Sequence, residues 1–117
     1  MTNGHFEFEV EGVKYSLHFG NIAVEQFTRL SIENMSNNIT NETKSMTDMI
    51  FSGLFNSALL EGRNVPKYAD AIQITDLLLD NEMDKEQEGI VEAFKSSRAS
   101  QKQLEKLSGK DVKKKKK

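Results

Sequence analysis

A chain of 117 residues, 37% hydrophobic and 29% charged, has the size and composition of one globular domain with a thin core. It contains no cysteine, which excludes a disulfide framework, a thiolate nucleophile and a cysteine-based zinc site. Setting aside the five lysines Lys113–Lys117 leaves 11 basic against 18 acidic residues, a net charge of about −7, so a basic end is attached to an acidic body.

The first residues, MTNGHFEFEVEG, lack the basic and apolar regions of a signal peptide, and no run approaches the roughly 18 apolar residues of a membrane span. The expectation is a soluble intracellular protein with no membrane partner. From residue 5 to 19 the pattern has a period of two. Phe6, Phe8 and Val10 alternate with glutamates, and after Gly12 the alternation resumes as Val13, Tyr15, Leu17 and Phe19. A two-residue turn at Glu11-Gly12 sets Val10 opposite Val13, Phe8 opposite Tyr15 and Phe6 opposite Leu17; Glu-Gly is a weaker turn signal than Asn-Gly, so a longer loop is the alternative. With the two-residue turn all the apolar side chains share one face, and Glu9 faces Lys14 on the other. A lone two-stranded sheet is marginal in water, so its apolar face needs helices or another chain against it.

Gly20-Asn21 breaks the strand, and Asn21 is suited to cap a helix over about 21–32 with Ala23, Phe27 and Leu30 on one face. The Ser-, Asn- and Thr-rich stretch that follows reads as a loop near 36–43. A helix over 46–61 comes next, with Ser45 or Thr47 as its cap and Gly62 as its end. Met46, Ile50, Leu54 and Ala58 form its stripe, while Phe51, Phe55 and Leu59 carry apolar character round the side. Such a helix lies at the centre of its domain or is shared with a partner, and Gly53 marks a close-packing point between helices.

Residues 67–81 form one helical region or two short pieces, with Pro66 in the first turn and Thr75 as a second cap. Asp84 with Gln87 makes a capping-box pattern ahead of a helix over 84–107, in which Ile90, Val91 and Phe94 face the core and Leu104 and Leu107 continue a weaker stripe. Residues 109–117 read as a basic, disordered tail. The predicted architecture is α+β, mainly α: an N-terminal hairpin packed on about four helices, in a single domain over 1–108.

Residues that could carry chemistry are few. The hairpin register places His5 opposite His18, but zinc takes three or four protein ligands and no third is evident. The run DNEMDKEQEGIVE has Lys85 where a calcium loop needs glycine and Val91 where it needs glutamate. No phosphate-cradling loop, nucleophile elbow or HExxH helix occurs. No catalytic, cofactor-binding or metal residue is assigned, and an enzyme is not expected. Five clustered lysines could bind a phosphate backbone, yet the acidic body and the lack of a reading motif argue against nucleic acid as a partner.

The hairpin ending in GVKYSLHFGNIAVEQFTRL, the central MIFSGLFNSALLEG, the short ITDLLLDN and the final IVEAFKSSRASQKQLEKL together resemble the tail assembly chaperones of long-tailed phages. The resemblance runs from about Gly12 to Leu107 and includes the Y-x-L-x-F-G junction at Tyr15, Leu17, Phe19 and Gly20. It implies a small, mostly helical, non-catalytic protein of the host bacterial cytoplasm, commonly absent from the finished virion. Such a protein keeps the tape measure protein soluble and helps recruit tail tube subunits. Apolar surface for that client is expected at Met49, Phe51, Leu54 and Phe55; self-association is left open. Many members of the family are also made in two lengths by ribosomal frameshifting, and lysine codons are A-rich, so the lysine run fits a slippery site. Two other classes remain: a tail completion or connector protein, and a small nucleic-acid-binding regulator using the lysine tail. Reading the bases under Lys113–Lys117 tests the frameshift expectation. An unbroken A-rich run with an open overlapping frame is the expected result, and mixed codons with no such frame would exclude it.

Overall fold

The computed structural model describes residues 4–37 and 42–104. The elements run β1 (His5–Val10), β2 (Val13–His18), α1 (Asn21–Ser36), α2 (Glu42–Glu61), α3 (Tyr68–Asp80), α4 (Asp84–Ser96) and α5 (Arg98–Leu104). This is the expected α+β, mainly α architecture, with an antiparallel hairpin packed on helices.

The hairpin has the register that its alternation dictates, from His5 opposite His18 to Val10 opposite Val13. Glu11 and Gly12 both have left-handed backbones, with φ of 50° and 82°. A two-residue type I′ turn requires this, because only that twist matches the flanking strands. One more bond, from the Phe19 N–H to the Gly4 carbonyl at 2.8 Å, extends the ladder past its strands. Phe8, Val10, Leu17 and Phe19 are buried, whereas Val13 beside the turn is exposed.

Helix α2 is the common neighbour of β2, α1, α3 and α4. Its buried residues, Thr47, Asp48, Ile50, Ser52, Gly53, Asn56, Ser57 and Ala58, are spaced so that they point in every direction around the axis. The helix is therefore the buried centre of the domain. Gly53 is a close-packing point, but against the sheet and not, as expected, between helices. A β-carbon there would lie 2.9 Å from Leu17 Cβ and 3.0 Å from Phe19 Cε1. The strand can approach only because that atom is missing.

The start of α1 departs from expectation. Asn21 is the first helical residue and Gly20 is the cap, with no side chain to offer. The acceptor comes from the central helix: Oδ1 of Asn56 accepts the Gly20 N–H at 3.0 Å and the Ala23 N–H at 3.1 Å. These are the two orphan donors that a capping box would satisfy from within the helix's own first turn.

Helix borders the loop expected near 36–43 on both sides. α1 continues to Ser36 and α2 starts at Glu42, and residues 38–41 between them lie outside the described residues. Polar residues of the flanking helices bond across to neighbouring helices. Asn34 Nδ2 donates to the buried Asp48 carboxylate at 2.9 Å. Thr47 donates to Thr75 Oγ1 at 2.8 Å, and Thr75 donates on to the Ala71 carbonyl at 2.9 Å. Ser45 and Thr47 are thus internal to α2, and Thr75 is internal to one continuous α3.

At α3 the cap is Lys67, whose N–H donates to the Asp70 carboxylate at 3.0 Å, so Pro66 precedes the helix instead of opening it. Gly62 ends α2 as expected: the Arg63 N–H reaches the Ala58 carbonyl at 2.9 Å and the Gly62 N–H the Leu59 carbonyl at 3.4 Å, a Schellman pair. The Asp84–Gln87 capping box does not form. Met83 is the cap, and Asp84 and Glu86 stand in the first turn, where their charge complements the helix dipole.

The helix expected over 84–107 is broken at Ser97, whose backbone is extended. Its hydroxyl donates to the Phe94 carbonyl at 2.9 Å and accepts the Ser100 N–H at 3.1 Å, closing α4 and capping α5 with one side chain. Leu107 and the basic tail lie outside the described residues. α4 closes over the hairpin, where the Phe6 ring lies on Gly89; a β-carbon there would be 2.4 Å from Phe6 Cζ.

Replacing Asn56 by alanine leaves two N–H groups, the buried one of Ala23 and the partly buried one of Gly20, without this acceptor. A loss of about 2 kcal/mol in urea unfolding is expected, with Asn56→Asp retaining most of the stability because it keeps the acceptor oxygen. Equal losses for both variants would contradict the capping role.

Candidate functional site

The four residues expected to form a client surface are all half-buried, and they do not form one patch. Met49, Phe51 and Leu54 pack against the core cluster. Met49 lines a groove between α2, α3 and α4. Phe51 faces the start of α3, with its ring centroid 5.5 Å from Tyr68 and 5.9 Å from Phe55. The apolar surface lies further along the same stripe. Leu59, one turn beyond Phe55, is 46% exposed, and its neighbour Leu60 is 63% exposed. The i, i+4 continuation from Phe51 through Phe55 to Leu59 was the sequence signal for it. On α1, Ile32 at the end of the expected helix and Met35 just beyond it are also exposed.

Beneath this stripe is a polar cluster that sequence spacing could not assemble. Asp48 is fully buried, and its carboxylate accepts from Asn34 of α1, from Lys44 at 3.5 Å and from the Tyr68 hydroxyl of α3. The Lys44 ammonium also donates to Tyr68 Oη at 2.8 Å and sits 4.7 Å from the centre of its ring. Burial alone would lower the Lys44 pKa, but the Tyr68 hydroxyl and the Asp48 carboxylate outweigh it and the pKa is raised. Burial, and then the hydrogen bond to Asp48, push the Tyr68 phenol up as well. Near neutral pH the amine stays protonated and the phenol stays neutral. Neither is a nucleophile or a base there, and the cluster acts as a clamp joining three helices.

His5 and His18 do face each other, with ring centroids 6.2 Å apart. His5 Nε2 lies 3.0 Å from Ser16 Oγ and 3.6 Å from the Glu7 carboxylate. Burial, and then the His5 ring, lower the pKa of His18. Among the described residues no three His, Asp, Glu or Cys side chains are placed to hold a metal ion. Nor, among those residues, is any helix long and apolar enough to cross a membrane.

No protein-family model, curated protein or solved structure matches this chain.

Removing the Asp48 carboxylate takes the acceptor from Asn34 Nδ2 and the Tyr68 hydroxyl, and one of its acceptors from the Lys44 ammonium. Asp48→Ala is expected to cost about 2–4 kcal/mol in urea unfolding, discounted because Lys44 keeps access to water; Asp48→Asn, which keeps acceptor capacity, costs less. A near-neutral Asp48→Ala would show that the cluster clamps nothing.

Proposed function

We propose that this chain is a non-catalytic tail assembly chaperone of a long-tailed phage or prophage, which binds the tape measure protein in the host cytoplasm and recruits tail tube subunits. The observation that carries the reading is the apolar stripe of α2, which starts in the core at Phe51 and emerges at Leu59 and Leu60 on an acidic body. A holdase needs this combination: apolar side chains within reach of a helical client, and like charge around them to keep the loaded complex from aggregating. The order of hairpin, long first helix and apolar central helix, with the Tyr15, Leu17, Phe19 and Gly20 junction, supports the same assignment. The clamp at Asp48 joins α1, α2 and α3 and so holds in place the helix that carries the stripe.

Leu60 offers a cleaner test than Phe51, because its side chain is exposed and Phe51 packs against Tyr68. Co-expressed with the tape measure protein of the same genome, the wild-type chain is expected to hold it in the soluble fraction. Leu60→Asp, with unchanged helicity and melting temperature, is expected to lose at least half of that effect. A soluble client with the variant, or an insoluble one with the wild type, counts against the reading.

A further inference from the structure

The other end of α2 carries a second apolar feature. Met46 and Met49, one turn apart, form one wall of the groove; Leu78 and Leu79 of α3 form the opposite wall, and Val91 of α4 its flank. The cavity is about 310 Å³, room for anchor side chains with the backbone of a ligand lying along the mouth. Leu78 is fully buried at its floor, whereas Leu79 is 44% exposed at its lip.

A shallower depression shares Met46, Gln87 and Val91 with this groove and continues over α4, where Glu88 and Glu92 complete its lining. The two therefore form one trough with an apolar bank and an acidic bank. Glu88 and Glu92 are exposed, one turn apart on a single helix face, and neither carries an ion pair among the described residues. Neither lysine of α4, Lys85 or Lys95, contributes to the lining.

We propose that this trough is a docking site for one amphipathic helix of a partner protein, with apolar anchors in the methionine-walled groove and cationic side chains against Glu88 and Glu92. Methionine suits such a wall, because its unbranched, polarisable side chain repacks around anchors of different shape. A helix entering a groove presents anchors at i, i+3 or i+4 and i+7, and the trough's asymmetry selects a cationic flank. The site is distinct from the Leu59 and Leu60 surface and does not depend on the chaperone reading.

The test uses the full chain and two synthetic 18-residue amphipathic helices with the same leucine stripe, one flanked by lysine and the other by glutamate. Affinity is measured by fluorescence anisotropy at low and moderate salt. The lysine-flanked helix is expected to bind at least tenfold more tightly than the glutamate-flanked one. The surface double variant Glu88→Lys/Glu92→Lys is expected to abolish or reverse that preference. In methyl spectra, the Met46 and Met49 signals are expected to shift on binding while Met35, exposed on α1, stays put. Equal affinity for both helices overturns the proposal. So does binding that leaves the Met46 and Met49 methyls unmoved, since the cationic helix is then attracted only by the acidic body. Because neither probe is a tape measure fragment, failure here leaves the chaperone reading to its own test.

Discussion

A helix with neighbours on four sides cannot satisfy its polar groups by turning them to water, and α2 is such a helix. Thr47, Asp48 and Asn56 each reach a neighbouring element with a hydrogen bond, to α3, to α1 and α3, and to the start of α1. Small residues fill the remaining contacts, above all Gly53 beneath the strand. The packing of every other long element follows from that enclosure. The hairpin buries its apolar face on one side of α2, α1 is capped by it, α3 is clamped to it, and α4 covers the seam between it and β1. Among the described residues two interior hydroxyls lack a hydrogen-bond partner, Ser52 Oγ in α2 and Ser100 Oγ in α5. The first is a local expense in a helix whose other polar side chains are used for joining.

Legibility from sequence tracked how local the determining interactions are. The hairpin register was readable, because a period of two and a charge pair fix it within fifteen residues of chain, although Glu-Gly alone did not decide between a two-residue turn and a longer loop. The identity and order of the helices down to α4 were readable from apolar spacing. Helix ends were less so. Asn34 and Thr47 look like turn formers because of what they do to their own backbone, yet here they bond to Asp48 and Thr75 on other helices. Thr75 looked like a cap for the same reason. Ser97 breaks a helix that composition would continue, and it does so with two side-chain bonds to residues three away on either side.

The candidate surface was partly visible. The central helix does carry exposed apolar residues, but a single helix sequence does not tell which of them its neighbours will cover. Phe51 and Leu54 were claimed by the core, Met49 by a groove whose other walls come from α3 and α4, and Leu59 and Leu60 were left outside. The result is a helix with a buried middle and two differently shaped apolar ends. The client surface we propose lies at one end, and the charged trough at the other.

The trans cap on α1 also bears on how the chain can be divided. A cut between α1 and α2 would look harmless, since it falls outside every described helix. Yet the N-terminal piece would carry away a helix whose first turn is finished by Asn56 and a hairpin whose apolar side is roofed by α2. Hairpin, first helix and central helix are one indivisible unit, and the smallest fragment expected to keep its shape must extend at least through Gly62. An insertion is therefore better placed after that glycine than between α1 and α2, whereas a split at the glycine would still take α3 and α4 away from the core they complete.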